Sequence, residues 1–324
     1  MIRIASNFAK WLWHSPIVLL MYTASIWGCN AVAARLAAGN ISPMCLVLLR
    51  WLIVCSILFA CMHRSLGEIL PMMRMSWRRF IWMGFAGFTG FSALFYLAAY
   101  KTTAVNITLL QTSMPPMVML GALLFYKEEV TGWRLAGMLL ALAGMVLIAT
   151  RGDMQTLATM NFNIGDIAII AACILYAGYT LSLRSRPSIP ALQFFFGLSL
   201  SALASALPLA IGEITAGYAY WPSVTGWWVL LFVAFGPTLT AQLAYMRGVD
   251  LIGPSRASLF PCLVPALGAL CAVLMLGESF HLYHGIALGM GLTGVYLGQA
   301  GPGFFRPMRW PFNMTRLEKG NHRG

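Results

Sequence analysis

The chain has 324 residues, of which 60% are hydrophobic and only 9% charged. That balance excludes an ordinary water-soluble domain, and recurring apolar runs of about 18 or more residues predict a polytopic helical membrane protein. A net charge of +12 brings no compact basic patch with a binding motif, so no nucleic-acid partner is expected, and the continuous, non-alternating runs are not those of a membrane β-barrel.

In chain order, Arg3 and Lys10 precede an apolar run from Pro16 that holds Trp27-Gly28-Cys29-Asn30. Its polar centre predicts a retained first helix rather than a cleaved signal peptide. Ten transmembrane helices are expected, at 16–36, 42–62, 80–100, 103–126, 131–150, 164–184, 190–211, 226–247, 254–276 and 281–300. Connections are short except 63–79, 151–163 and 212–225, which leaves no room for a soluble domain. The first of these mixes Leu66, Ile69, Leu70, Met72, Met73 and Trp77 with four arginines. It reads either as an element lying along an anionic membrane surface or as a solvated loop carrying topology charges. The stretch after Gly301, with Arg306, Arg309 and Trp310, reads as a basic tail at 302–324 without chemistry.

Of the 21 Lys and Arg, 17 fall on the side of the N-terminus. Arg35, Lys101 and Arg151 fall opposite, and Arg50 lies inside the second helix. The positive-inside rule then places both termini in the cytoplasm, with the chain crossing the plasma (inner) membrane many times. All seven cysteines sit inside apolar runs as small hydrophobes, so neither a disulfide framework nor a zinc site is expected.

Two helices read as broken. In the fourth, Gln111, Thr112 and Ser113 precede Pro115 and Pro116; in the ninth, Pro261 and Pro265 interrupt an otherwise apolar run. Each proline removes a backbone donor, and in lipid the freed carbonyls need partners, so such breaks belong where protein or a wet cavity encloses them.

Sliding the chain against itself by 149 positions pairs Trp27 with Tyr176, Arg35 with Arg184, Gly87 with Gly236, Thr89 with Thr238, Tyr96 with Tyr245, Pro116 with Pro265 and Glu129 with Glu278. Residues 1–150 and 151–301 are thus expected to form two five-helix repeats. An odd helix count inserts the second repeat upside down, and this inverted architecture belongs to secondary transporters with a central cavity near the midplane. The broken helices are fourth in each half, where such folds build their sites.

Polar and aromatic residues then fall into stripes: Trp27 and Asn30; Thr89, Ser92 and Tyr96; Thr108, Gln111 and Pro115; Tyr176, Tyr179 and Thr180; Thr238, Gln242 and Tyr245. A single Ser or Thr fits an ordinary interhelical hydrogen bond. Asn30, Gln111, Gln242 and the paired tyrosines fit cavity lining equally well, because an incompletely satisfied buried amide is costly. The candidate substrate-binding residues are therefore Trp27, Asn30, Ser92, Tyr96, Gln111, Tyr176, Thr180, Gln242 and Tyr245.

Arg50 lies about 12 Å along its helix from Ser42 at 1.5 Å per residue, deep enough to need a substrate carboxylate or a carbonyl as partner. No carboxylate falls mid-helix. Asp166, near the start of the sixth helix, is the nearest and fits a cap, so a buried-carboxylate proton site is not expected. Glu278, His281 and His284 do not share a helix face, and no metal, cofactor or enzyme motif is present.

At WGCN (27–30) followed by Arg35, at SPMCLVLLRW with Pro43 and Arg50, at the tyrosine-bearing third and eighth helices, and at the proline-containing fourth and ninth helices with Glu128-Glu129 and Gly277-Glu278 after them, the chain resembles the EamA-type transporters of the drug/metabolite transporter superfamily. The likeness spans roughly residues 16 to 300. It implies ten helices in two inverted repeats, alternating access, and export of amino acids or other small metabolites. The family carries an arginine like Arg50 across many substrates, which favours a structural role for it. The expected function is efflux of a small amphipathic metabolite such as a neutral amino acid. A drug or secondary-metabolite exporter is the alternative within the class, and a membrane enzyme or assembly factor the alternative outside it.

Overall fold

The computed structural model describes residues 11–63, 66–153, 155–158, 162–186 and 189–299. The first ten residues and the predicted tail at 302–324 lie outside them. Among the described residues there is helix and no strand. The long helices are α1 (Pro16–Ala37), α2 (Pro43–Met62), α3 (77–101), α4 (Ala104–Gln111 and Met114–Tyr126), α5 (Gly132–Ala149), α6 (Ile164–Leu183), α7 (Ala191–Thr215), α8 (Val224–Ile252), α9 (Pro254–Leu276) and α10 (Leu282–Gln299). Eight of them are long and apolar enough to cross a membrane; α3 and α10 pack among these in the third and tenth places. Part of the 63–79 connection is itself helical, Leu66–Met75, and is followed by the exposed Trp77.

The ends form where donors are supplied locally. Thr103, Thr131, Asn163 and Ser223 accept hydrogen bonds from the amides of Asn106, Arg134, Gly165 and Gly226. Proline at the first turn starts α1 and α2. The start of α2 carries no acid of its own; Glu213, from the end of α7, accepts from the amides of Met44 and Cys45 at 3.1 to 3.2 Å. α7 runs on to Thr215, beyond the expected end at 211, and so brings Glu213 to this position.

Packing shows the inverted duplication. α1 lies against α8 and α9, and α6, its counterpart, lies against α3 and α4. Two further pairs join repeat mates directly, α2 with α7 and α5 with α10. Each half thus wraps its first helix into the other half. Between α5 and α10 a Cβ on Gly137 would strike the Gly294 carbonyl and the Gly298 backbone, and one on Gly144 the Ala287 carbonyl. The two backbones touch directly, as small residues allow in membrane bundles.

Side-chain links sort into the two ends that an alternating thread predicts. One end joins Arg35 to Glu278, Asn40 to Ser223, Glu213 to the start of α2, and Thr102 to Asp166. The other, rich in arginine, joins Arg247 to the Trp13 carbonyl, Arg79 to the Ser185 carbonyl, Glu128 to Arg134 and Arg184, and Arg186 to Asp250.

The breaks differ in detail from expectation. In α4 the interruption is the Thr112-Ser113 turn, and Pro115 and Pro116 open the next helical segment, where their missing N–H groups are not needed. The hydroxyls of Thr112 and Ser113 donate to the carbonyls of Leu109 and Leu110 at 2.6 and 2.7 Å. In α9 the chain passes from Pro254–Ala257 through a 3-10 turn at Phe260–Leu263, begun by Pro261, into Val264–Leu276, begun by Pro265. The α4 and α9 segments that follow the breaks are both 13 residues long and end on left-handed residues, Lys127 (φ 51°) and Gly277 (φ 69°). These are 150 positions apart, not 149. One residue more fits in the break of α9, so Pro265 corresponds to Pro115 rather than Pro116, and Glu278 to Glu128 rather than Glu129.

Candidate functional site

The site starts from two helices that lose their regular winding where the halves cross. α3 carries a π turn at Phe85–Thr89 and α8 a longer one at Ala234–Ala241, with Pro237 inside it. Such turns widen the ladder and leave carbonyls to be satisfied by other groups. On α8 those groups come from α1: Trp27 Nε1 donates to the Pro237 carbonyl at 3.3 Å, and Thr23 Oγ1 to the Ala241 carbonyl at 3.0 Å. On α3, Thr89 Oγ1 reaches the Ala202 carbonyl of α7 at 2.8 Å. Only glycine at 87 leaves room for the Tyr179 ring against the α3 π turn. The sequence offered Pro237 and the matched Gly87/Gly236 as a signal for these windings; only the α4 and α9 breaks were expected from it.

Against these turns sits an aromatic cluster built from both halves. Trp27 meets Tyr176 edge-on at 6.2 Å and Tyr245 at 5.2 Å, and Tyr176 touches Tyr179 at 5.5 Å and Phe91 at 5.4 Å. Two buried hydrogen bonds fix its far side: Gln242 Nε2 donates to the Tyr179 hydroxyl at 2.8 Å, and the Thr180 and Tyr245 hydroxyls lie 3.3 Å apart. Tyr176 is 7% exposed, and its hydroxyl lies beside the Gln242 amide without a hydrogen bond of ordinary geometry. A buried polar atom left so costs about 1 to 3 kcal/mol, and such orphans mark positions with something to gain from another group.

The structure therefore brings together Trp27, Tyr176, Thr180, Gln242 and Tyr245, and adds Tyr179, which anchors Gln242. All of these but Trp27 are buried, so the cluster is packed shut in this conformation. Ser92 is tied elsewhere: its hydroxyl accepts from Arg50 Nη2 at 2.8 Å, the guanidinium lying 5.6 Å from the Trp51 ring centre. Asn30 and Gln111 are half-buried. The side chain of Tyr96 lies outside the described residues. Pro116 borders an apolar cavity of about 570 Å³ with Ser113, Met119, Leu123 and Val130, apart from the aromatic cluster, and Pro115 is buried.

Asp166 is fully buried and held as a cap. It accepts from Thr102 Oγ1 at 2.6 Å, Asn106 Nδ2 at 3.3 Å and the Asn163 amide at 2.8 Å, a capping box that satisfies the carboxylate where it stands. Among the described residues no three His, Cys, Asp or Glu side chains converge as metal ligands.

Replacing Gln242 with leucine leaves the Tyr179 hydroxyl buried without its donor. A loss of about 1 to 3 kcal/mol is expected, read as a lower Tm of the detergent-purified protein; Tyr179→Phe with Gln242→Leu is expected to recover part of it.

Fold and site together define a multi-pass helical membrane protein made of two inverted repeats that share one central aromatic cluster. The chain belongs to the EamA-like transporter family, whose pattern it matches twice, over residues 14–150 and 163–298. It is 24% identical over 264 residues to the uncharacterized transporter YyaM of Bacillus subtilis, covering 78% of this chain and 84% of that one. It is 26% identical over 275 residues to the uncharacterized inner membrane transporter YicL of Salmonella typhimurium, covering 81% and 88%. A solved crystal structure superposes with a TM-score of 0.75 at 18% identity, over 87% of this chain and 96% of the other, a likeness of fold.

Proposed function

We propose that this protein is a secondary transporter of the inner membrane that exports a small amphipathic metabolite, with neutral amino acids as the substrate class, by alternating access between its two halves. The observation that carries this reading is the cluster of Trp27, Tyr176 and Tyr245, drawn from both halves onto two π turns, with an orphaned Tyr176 hydroxyl inside it. Aromatic faces suit the apolar part of a solute, and Gln242, with the half-buried Asn30 and Gln111, supplies donors and acceptors for its polar part. Both termini face the cytoplasm in this reading, because Arg74, Arg78, Arg79, Lys127, Arg134, Arg184, Arg186, Arg247 and Arg256 gather at one end, against Arg35, Lys101 and Arg151 at the other. The arginine-rich end is then the inner end.

The test is reconstitution into liposomes and transport of a panel of labelled neutral amino acids. Saturable transport is expected, at least ten-fold weaker in Tyr245→Ala and several-fold weaker in Gln111→Ala. Failure to move any solute, with both variants indistinguishable from the parent, overturns the reading.

A further inference from the structure

The internal repeat relates not only helices but two ion pairs. Arg35, in the last turn of α1, pairs with Glu278, just past the end of α9. Arg184, just past the end of α6, pairs with Glu128, just past the end of α4, at 3.2 Å. Arg35 and Arg184 are repeat mates, and the 150-residue spacing of the left-handed caps makes Glu128 and Glu278 mates as well. In both cases the left-handed residue, Lys127 or Gly277, turns the following glutamate back toward the first helix of the other half. One device is thus built twice, once at each end, and each copy ties the two halves together.

The copies are not equally strong in this conformation. The Arg35 and Glu278 side chains are 59% and 46% exposed, so solvent screens them. Glu128 is 15% exposed, also holds the buried Arg134, and its Arg184 partner lies 5.0 Å from the Tyr126 ring centre. The Tyr126 hydroxyl in turn donates to the Leu181 carbonyl at 2.8 Å. Beside this pair Arg186 grips Asp250 through two bonds, of 2.7 and 3.0 Å. At the outer end the Arg35–Glu278 pair is exposed, and Asn40–Ser223, the Glu213 cap on α2 and the buried Thr102–Asp166 link stand with it.

We infer that Arg184–Glu128 and Arg35–Glu278 are paired latches, one at each end, both closed in the conformation described and the inner one the less exposed. This rests on the transport reading above, and it says which bonds must break when each end opens.

The test is hydrogen–deuterium exchange of the full chain in lipid nanodiscs, which needs no substrate. Arg184→Gln and Arg35→Gln are the matched variants: each removes one latch, and Arg184→Gln leaves Arg134 with its carboxylate. Arg184→Gln is expected to speed exchange about five-fold at the inner ends of α4 and α6 and to leave the outer ends unchanged. Arg35→Gln is expected to act at the outer ends of α1 and α9 only, by about two-fold, and the charge-swapped Arg35→Glu with Glu278→Arg to restore the parent rates. Equal changes at both ends, or none at either end in variants that purify as folded protein, overturn the inference. Exchange follows the latches whatever the solute, so the expected pattern in a protein that moves no tested amino acid sinks the transport reading and leaves the latches standing.

Discussion

Replacing Glu128 with alanine is expected to destabilise the protein by about 3 kcal/mol, because it strands a buried cation. Arg134 is 5% exposed, and its guanidinium is held by Glu128 at 3.2 Å and the Glu129 carbonyl at 2.6 Å. Without the carboxylate a full charge stays enclosed with one carbonyl for company. Arg184, 44% exposed at its side chain, turns to water at little cost. Most of the loss therefore belongs to Arg134, which gives the expectation its sharper form: Glu128→Ala with Arg134→Met, a pair that removes both charge and counter-charge, is expected to be more stable than Glu128→Ala alone. Thermal unfolding in detergent measures both. Equal Tm values for the single and double variants would show that the Arg134 charge is not what the carboxylate serves.

The second large effect is expected at the seam of α5 and α10. Gly137→Val puts three carbons where the Gly294 carbonyl and the Gly298 backbone already sit, and neither is a flexible side chain that can give way. Overpacking of a membrane interface on this scale costs about 1 to 3 kcal/mol, and here it pushes apart the self-paired helices of both repeats. The expected result is a lower Tm and a smaller yield of monodisperse protein, with Gly132→Val harmless, since nothing lies near a Cβ at Gly132. Similar losses in the two variants would place the cost in glycine-to-valine propensity rather than in the contact.

Much of the fold was legible because the membrane reduces the problem to a few strong signals. Apolar runs long enough to span and a self-match near 149 positions carry helix and duplication, and each has one dominant physical cause. The register near the fourth and ninth helices was read one residue off for an equally plain reason. Pro115-Pro116 and Glu128-Glu129 are adjacent pairs of identical residues, and a sequence shift cannot tell which member is meant; the left-handed caps at Lys127 and Gly277 decide it.

The candidate site was legible in part. Trp27, Tyr176, Thr180, Gln242 and Tyr245 shared stripes and share a cluster, since helical spacing places them on inward faces. Ser92 lay on the stripe of Thr89 yet serves Arg50, a bond between α2 and α3 that stripe spacing within one helix does not reveal. Remote pairings such as Glu213 with the start of α2 were not readable at all, as they join residues 169 positions apart with no motif between them.

The bare-backbone seam of α5 and α10 also limits how the halves can travel. Helices that meet through side chains can ratchet past one another, since each knob finds a new hole. Here Gly137, Ala141 and Gly144 face Ala287, Gly291, Gly294 and Gly298 with peptide groups almost touching, and a slide along the axis brings Cβ-bearing neighbours such as Ala141 against backbone that leaves no room for them. Pivoting about the seam needs no such exchange. If the halves move as the transport reading requires, the seam is expected to act as a hinge line, and labels on the two strips are expected to keep their separation while those at the helix ends do not.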